Sequence, residues 1–135
     1  DKPEVIQLFR LNTPRYFDAS EGKDFEHYLD HEIEDYFVYE SKGQIMGSGG
    51  VNFSFKEKSA CLSWGMIHPK YQGQGIGRKL TQFRINHLRK TPHCNEIVVR
   101  TSQHVFRFYE KMGFAIDKIE KDYWAKGFDL YQMKV

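Results

Sequence analysis

Ile67-His68-Pro69-Lys70-Tyr71-Gln72-Gly73-Gln74-Gly75-Ile76-Gly77-Arg78 is the stretch on which the reading of this chain turns. The apolar run leading into it, Ala60 to His68 (ACLSWGMIH), has the length of a buried strand and is ended by Pro69. Beyond it, Ile76, Leu80 and Phe83 fall on one helical face. Arg78, Lys79, Arg84, Arg89 and Lys90 lie mostly elsewhere, until Thr91-Pro92 stops the helix. A strand therefore ends, three alternating glycines remove side-chain bulk from a turn, and a helix begins at once. That order aims several free backbone N–H groups at one point in space. Such a point attracts phosphate, because the helix dipole adds partial positive charge there and Arg78 and Lys79 reinforce it. The geometry suits a pyrophosphate.

Other phosphate loops can be tested against the letters. A Walker loop needs Gly-Lys-Ser/Thr, whereas Gly77 is followed by Arg78 and Lys79. A dinucleotide fingerprint needs G-x-G-x-x-G. Counted from Gly73 its third glycine falls on Arg78, and counted from Gly75 it falls on Leu80. Both readings fail. A glycine-rich connection without a ligand stays open on the glycines alone, so the rest of the chain has to decide.

Working outward, Val5 to Leu11 (VIQLFRL) alternates in part and reads as a strand, followed by a polar loop containing Thr13, Pro14, Ser20 and Gly22. Phe25, Tyr28, Leu29 and Ile33 recur at helical spacing. Tyr36 to Glu40, the turn Ser41-Lys42-Gly43 and Gln44 to Phe55 read as a hairpin whose Gly47, Gly49 and Gly50 permit bending. Downstream of the glycine loop, Glu96 to Thr101 (EIVVRT) is a second buried strand. Val105, Phe108, Tyr109 and Met112 give the cleanest helical spacing in the chain, with Ser102 as N-cap and Gly113 as stop. Phe114 to Ile119 and Phe128 to Lys134 read as two last strands joined by a loop carrying Tyr123, Trp124 and Gly127. The predicted order is β-α-β-β-β-α-β-α-β-β, without linker or repeat, so residues 1–135 are expected to form a single mixed α/β domain.

At 135 residues the chain can bury one core but not two. Its 40% hydrophobic, 28% charged and 16% aromatic content excludes disorder. A net charge of +2 spread along the chain argues against nucleic-acid binding and does not repel a small polyanion. Cys61 and Cys94 accompany no CxxC or Cys/His cluster, so they read as reduced thiols with Cys61 buried, and no metal is expected. There is no apolar run of spanning length and no signal-peptide pattern, which points to a cytoplasmic protein without membrane partners.

With these elements placed, Gln72-x-x-Gly75-x-Gly77 resembles the Q/R-x-x-G-x-G/A acyl-CoA signature of the GNAT superfamily of N-acetyltransferases. Ile67-His68-Pro69 is similar to the end of the family strand that precedes it. Phe108-Tyr109-Glu110-Lys111-Met112-Gly113-Phe114 is similar to the family's second motif. Two specific motifs in the right order make coincidence a poor explanation. The first 60 residues match in pattern only. The resemblance implies the GNAT-like acyl-CoA N-acyltransferase fold, a central mixed and mostly antiparallel twisted sheet of six to seven strands flanked by helices. It also implies acetyl-CoA as co-substrate and a primary amine, on a small molecule or a protein, as acceptor. A homodimer stays open.

Residue by residue, the resemblance places the CoA pyrophosphate on Gln72, Gly73, Gln74, Gly75, Ile76, Gly77 and Arg78, and the pantetheine arm along Met66 and Ile67. An N–H near Ile67 would polarise the thioester carbonyl, where charge develops as the amine attacks. The strand Glu96 to Thr101 would splay away and leave a V-shaped cleft for the arm. Tyr109 resembles the family tyrosine that protonates the departing thiolate. A phenol with a pKa of about 10 facing a thiol of about 8.5 makes this donation slightly uphill in water and feasible in a preorganised hydrogen bond. Taken without the motifs, Tyr109 would read as a core residue.

Position 102 is Ser where many members have a CoA-contacting Asn, and Gln103 is the nearest amide. The two central strands carry no acid except Glu96 at an edge, so no general base stands out; His68 and His104 are titratable candidates. The acceptor wall is expected from the N-terminal helix and the Tyr123-Trp124 loop. A ping-pong route through Cys61 lacks a basic neighbour to activate the thiol. The competing class is a CoA-binding sensor without turnover, against which Tyr109 speaks.

Overall fold

A computed structural model describes residues 1–92 and 94–135. Six strands form one sheet in the order β1-β2-β3-β4-β6-β5. They are β1 (Asp35–Ser41), β2 (Gln44–Ser54), β3 (Ser59–Ile67), β4 (Glu96–Thr101), β5 (Ala115–Ala125) and β6 (Phe128–Lys134). Every neighbouring pair is antiparallel except β3 and β4, which run parallel across the crossover helix α3 (Ile76–Arg89). The expected mixed, mostly antiparallel sheet is therefore present with six strands.

Two cores line its faces. On one, Ile85 and Leu88 of α3 and Tyr109 of α4 (Phe106–Lys111) pack with Val51, Leu62, Val99, Phe114 and Met133. On the other, α1 (Lys2–Leu11) and α2 (Gly22–His27) bring Val5, Leu8, Phe9, Phe25 and Tyr28 against Ile45 and Met66. A single π-type turn, Tyr28–Glu32, continues α2 toward β1. Leu29 of the predicted apolar face is half-buried, but Ile33 lies beyond this turn and is exposed.

The first segment departs from the sequence reading, since Val5 to Leu11 is helical rather than extended. Val5, Leu8 and Phe9 stand at i, i+3 and i+4 and all three are buried. Pro3 at the helix start, Glu4 in the first turn and Arg10 in the last favour the helix at both ends. Amphipathic burial thus overrides the strand preference of Val, Ile and Phe.

A second departure concerns α3. Phe83, expected inside, is 56% exposed and meets Phe37 edge-on, whereas Arg84 is 1% exposed beneath the sheet. The third concerns Tyr123 and Trp124, which belong to β5 rather than to a loop.

Candidate active site

The site begins with a defect in β3. Between the pairs Ser48↔Met66 and Gly50↔Ser63, the single residue Gly49 on β2 faces two on β3, Trp64 and Gly65. That is a β-bulge, and Trp64 accommodates it at φ +46°. A bulge bends its strand, and pairing of β3 with β4 ends at Leu62↔Val99, just before it. The two parallel strands separate from there on, opening the V-shaped cleft that the sequence reading expected. Its volume is about 670 Å³, within the range of roughly 300–1,000 Å³ typical of small-molecule sites.

The bend leaves a free strand edge. His68 N–H bonds the Met46 carbonyl at 2.7 Å, across the β2 side. Backbone groups of adjacent strand residues point to opposite edges, so the Ile67 amide faces the cleft. Its carbonyl accepts from Asn12 Nδ2 at 3.0 Å, and Asn12, 2% exposed, is itself anchored to the Leu8 carbonyl at 2.8 Å.

At the cleft's open end the glycine loop turns into α3. Gly73 and Gly75 have φ of +79° and +82°, and a Cβ on either would meet nothing within 4 Å. They are kept for backbone shape and open approach. Gly75 caps α3, whose first-turn N–H groups lack helical acceptors. Gly77 faces inward, where a Cβ would lie 3.4 Å from the Phe108 ring and 3.5 Å from Ile67. Tyr16 donates to Gln72 Oε1 at 3.2 Å and ties the loop to the α1–α2 connection. Of the residues expected to hold the cofactor, Met66, Ile67, Gln72, Gly73, Gly75, Gly77, Arg78 and Ser102 line the cleft, as does Tyr109. Gln74 is exposed and Ile76 is buried in the core, so neither puts a side chain into the wall. An open strand edge leading to a dipole-reinforced helix N-terminus with Arg78 at its rim fits a thioester carried on a diphosphate.

Position 102 works differently from expectation. The N-cap of α4 is Val105, and buried Ser102 instead accepts from the His104 amide at 3.2 Å. Gln103 is engaged elsewhere, accepting from Asp129 N–H and donating to the Gly127 carbonyl, both at 2.9 Å. His68 Nδ1 accepts from the Lys70 amide at 3.1 Å, a capping task. His104 lies on the cleft wall with Nε2 3.1 Å from the Gly127 carbonyl. A carbonyl only accepts, so that nitrogen carries the hydrogen. Trp124 donates to the Thr101 carbonyl at 3.1 Å, and Arg100 stacks over Tyr123 and donates to its hydroxyl at 2.9 Å. The β5–β6 hairpin is thereby fastened to the end of β4.

Sequence reasoning missed two buried charged residues of the cleft, Arg84 and Glu21. Glu21 closes the short 3₁₀ turn Ala19–Glu21, where its Oε2 accepts from the Asp18 amide at 2.9 Å in a capping box. The Asp18-x-x-Glu21 spacing is visible in the letters, but its burial is not. Glu21 is 7% exposed. Burial first, then the nearby charges of Asp18 and Asp24, push its carboxyl above the usual range, while the Asp18 amide pulls it back. Burial likewise pushes the Cys61 thiol up, against the weaker pull of Arg100 and Arg84. Cys61 and Cys94 are free and half-buried. Among the described residues no cluster of three or more His, Cys, Asp or Glu could hold a metal ion, and no helix is long and apolar enough to cross a membrane.

Comparison with known proteins gives the same direction. The model of the acetyltransferase (GNAT) domain family matches residues 11–135. An N-alpha-acetyltransferase of Sulfurisphaera tokodaii is 26% identical over 98% of this chain and 86% of its own length. The ribosomal-protein-S18-alanine N-acetyltransferase of Escherichia coli superposes with a TM-score of 0.79 at 19% identity, covering 98% of this chain and 85% of that one. An aminoglycoside 6'-N-acetyltransferase complexed with coenzyme A gives 0.77 at 16% identity, over 99% and 89%. Because the family match spans the glycine loop, the splayed strands and the Tyr109 helix alike, the chain belongs to the GNAT family and is an acetyltransferase whose acetyl donor is acetyl-CoA.

Proposed function

We propose that this chain, as one N-acetyltransferase domain acting in the cytoplasm, passes the acetyl group directly to a primary amine in a ternary complex. The observation that carries the reading is the coincidence of three features around one cleft. These are a strand edge freed by the Trp64 bulge, a helix N-terminus opened by Gly75, and the Tyr109 hydroxyl beside Gly65 of the bulge. The diphosphate rests on the N–H groups of residues 72–78, and the pantetheine arm runs along Met66 and Ile67 in place of a paired strand. The amine nitrogen attacks the thioester carbon, and the Ile67 N–H receives the charge that gathers on the carbonyl oxygen. As the carbon–sulfur bond breaks, its electron pair goes to sulfur, which takes the Tyr109 proton.

The acceptor enters over a wall of Tyr16, Phe17, Trp64 and Trp124, with Glu21 as its buried carboxylate. This supports a cationic amine, because ring faces and a carboxylate both attract an ammonium. The raised carboxyl of Glu21 is suited to take the proton the amine must lose. The similarity to the N-alpha-acetyltransferase of Sulfurisphaera tokodaii makes the α-amine of a polypeptide the first acceptor to try.

A panel of amines, small and peptidyl, is tested for release of free CoA thiol. Turnover with at least one amine, lowered roughly 10²–10⁴-fold in Tyr109→Phe with CoA affinity intact, is the expected result. Binding of CoA without turnover on any amine would favour the sensor reading instead.

A further inference from the structure

The least explained group in the molecule is the Arg84 guanidinium. It is 1% exposed, lines the cleft and forms no salt bridge among the described residues. Among the described residues its one side-chain hydrogen bond runs from Nη1 to the Gly50 carbonyl at 3.2 Å, and Nε meets no partner. The sheet is cut to receive it. A Cβ on Gly49 would stand 2.7 Å from Nη1, and one on Gly65 would stand 2.9 Å from Nη2. Two glycines on adjacent strands thus form a slot that no other residue type could line without displacing the guanidinium. A buried cation without a counter-charge is costly, and a structure that builds a slot for one implies an anion that arrives from outside.

The slot opens beside the acid of the reaction. The point where a Gly65 Cβ would stand is 2.9 Å from Arg84 Nη2 and 3.4 Å from the Tyr109 hydroxyl. Gly65 belongs to the bulge at which the cleft opens.

We propose that Arg84 is a fixed cation for the departing thiolate, its charge answered when the carbon–sulfur bond breaks. In the balanced step, the amine nitrogen bonds to the carbonyl carbon and gives its proton to Glu21, the carbon–sulfur pair moves to sulfur, and Tyr109 passes its proton to that sulfur, the phenolate then regaining through solvent the proton Glu21 took. Whichever of the two, sulfur or phenol oxygen, holds negative charge during the transfer does so beside the guanidinium. A preorganised charge of this kind favours the transition state over the bound thioester, whose sulfur is neutral. The inference rests on the proposed direct transfer from acetyl-CoA and adds a second group to its leaving-group step.

The test compares wild type, Arg84→Met, Arg84→Lys and Tyr109→Phe with acetyl-CoA and with succinyl-CoA as donors. Met replaces a buried charge by an apolar chain of similar length, a change that is commonly neutral or stabilising, so its melting temperature should hold or rise. Its kcat for acetyl transfer should fall about 10–100-fold with KM for acetyl-CoA little changed, and Arg84→Lys should recover part of the loss. An Arg84→Met enzyme with unchanged kcat would overturn the proposal. So would a loss confined to succinyl-CoA, which would make Arg84 a reader of the acyl carboxylate. A slow Arg84→Met beside a fully active Tyr109→Phe would refute the Tyr109 acid and leave the thiolate cation standing.

Discussion

Replacing Gly75 by Ala tests whether the backbone of the loop, rather than its side chains, holds the cofactor. Gly75 sits at φ +82° with nothing within 4 Å of its missing Cβ. The substitution therefore meets no steric clash, only the cost of left-handed backbone, about 1–2 kcal/mol. The residue 75 carbonyl accepts from the Lys79 amide at 3.0 Å, but no side chain packs against its α-carbon, so the loop relaxes at φ into a conformation that Ala tolerates. Its N–H groups then turn away from the diphosphate. Restoring them on binding returns the same cost as an affinity loss of about 5–30-fold. Gly43 is the matched control, with φ +76°, equally open surroundings and a place in the β1–β2 turn away from the cleft. Calorimetric titration with CoA should show the loss in Gly75→Ala and none in Gly43→Ala, with neither protein losing more than about 8 °C in melting temperature. If Gly75→Ala binds CoA as tightly as Gly43→Ala does, the loop's special backbone is not what grips the diphosphate, and the reasoning fails.

Other outcomes follow from two perturbed groups of the cleft, Glu21 and Cys61. Glu21→Gln keeps an oxygen to accept the Asp18 amide, so the capping box survives while the charge is lost. Since the folded carboxyl titrates above its ordinary value, its stabilising contribution is full below pH 4.5 and is lost as pH rises through the folded pKa. The variant should thus be at least as stable as wild type at pH 7 and lose that advantage near pH 4. Its turnover should fall roughly 10²–10⁴-fold at pH 7, and thermal melts beside thiol-release rates check both halves. Cys61→Ala should turn over as wild type does, because burial holds that thiol protonated. Loss of activity together with an acetylated Cys61 in the wild type would restore the ping-pong route.

Much of the fold is legible in the letters. The strand runs of β1 to β4 and β6 lie within a residue or two of their predicted places, and the glycines at 73, 75 and 77 mark the loop without help. Gly113, at φ +100°, ends the α4 region as its position suggests. The N-terminal helix was hidden because Val, Ile and Phe favour strands, and the i, i+3, i+4 spacing of Val5, Leu8 and Phe9 only tells once a sheet exists to cover. The site was half legible. Backbone-binding positions follow from the motif, but Arg84 and Glu21 were not found, because a charged residue on a helix or turn ordinarily faces water. The burial of Arg84 depends on glycines in two other strands, Gly49 and Gly65, a relation that no local pattern encodes. Nor does anything around Trp64 beyond the adjacent Gly65 announce the bulge that opens the cleft.

The central claim is that the open edge of β3 and the N-terminus of α3 form one binding site for coenzyme A. Titration calorimetry of the purified chain with CoA addresses it most directly. The account predicts one saturable site, competed by acetyl-CoA and weakened by Gly75→Ala. A folded protein that gives no binding heat and no thermal shift with CoA at millimolar concentration would contradict it.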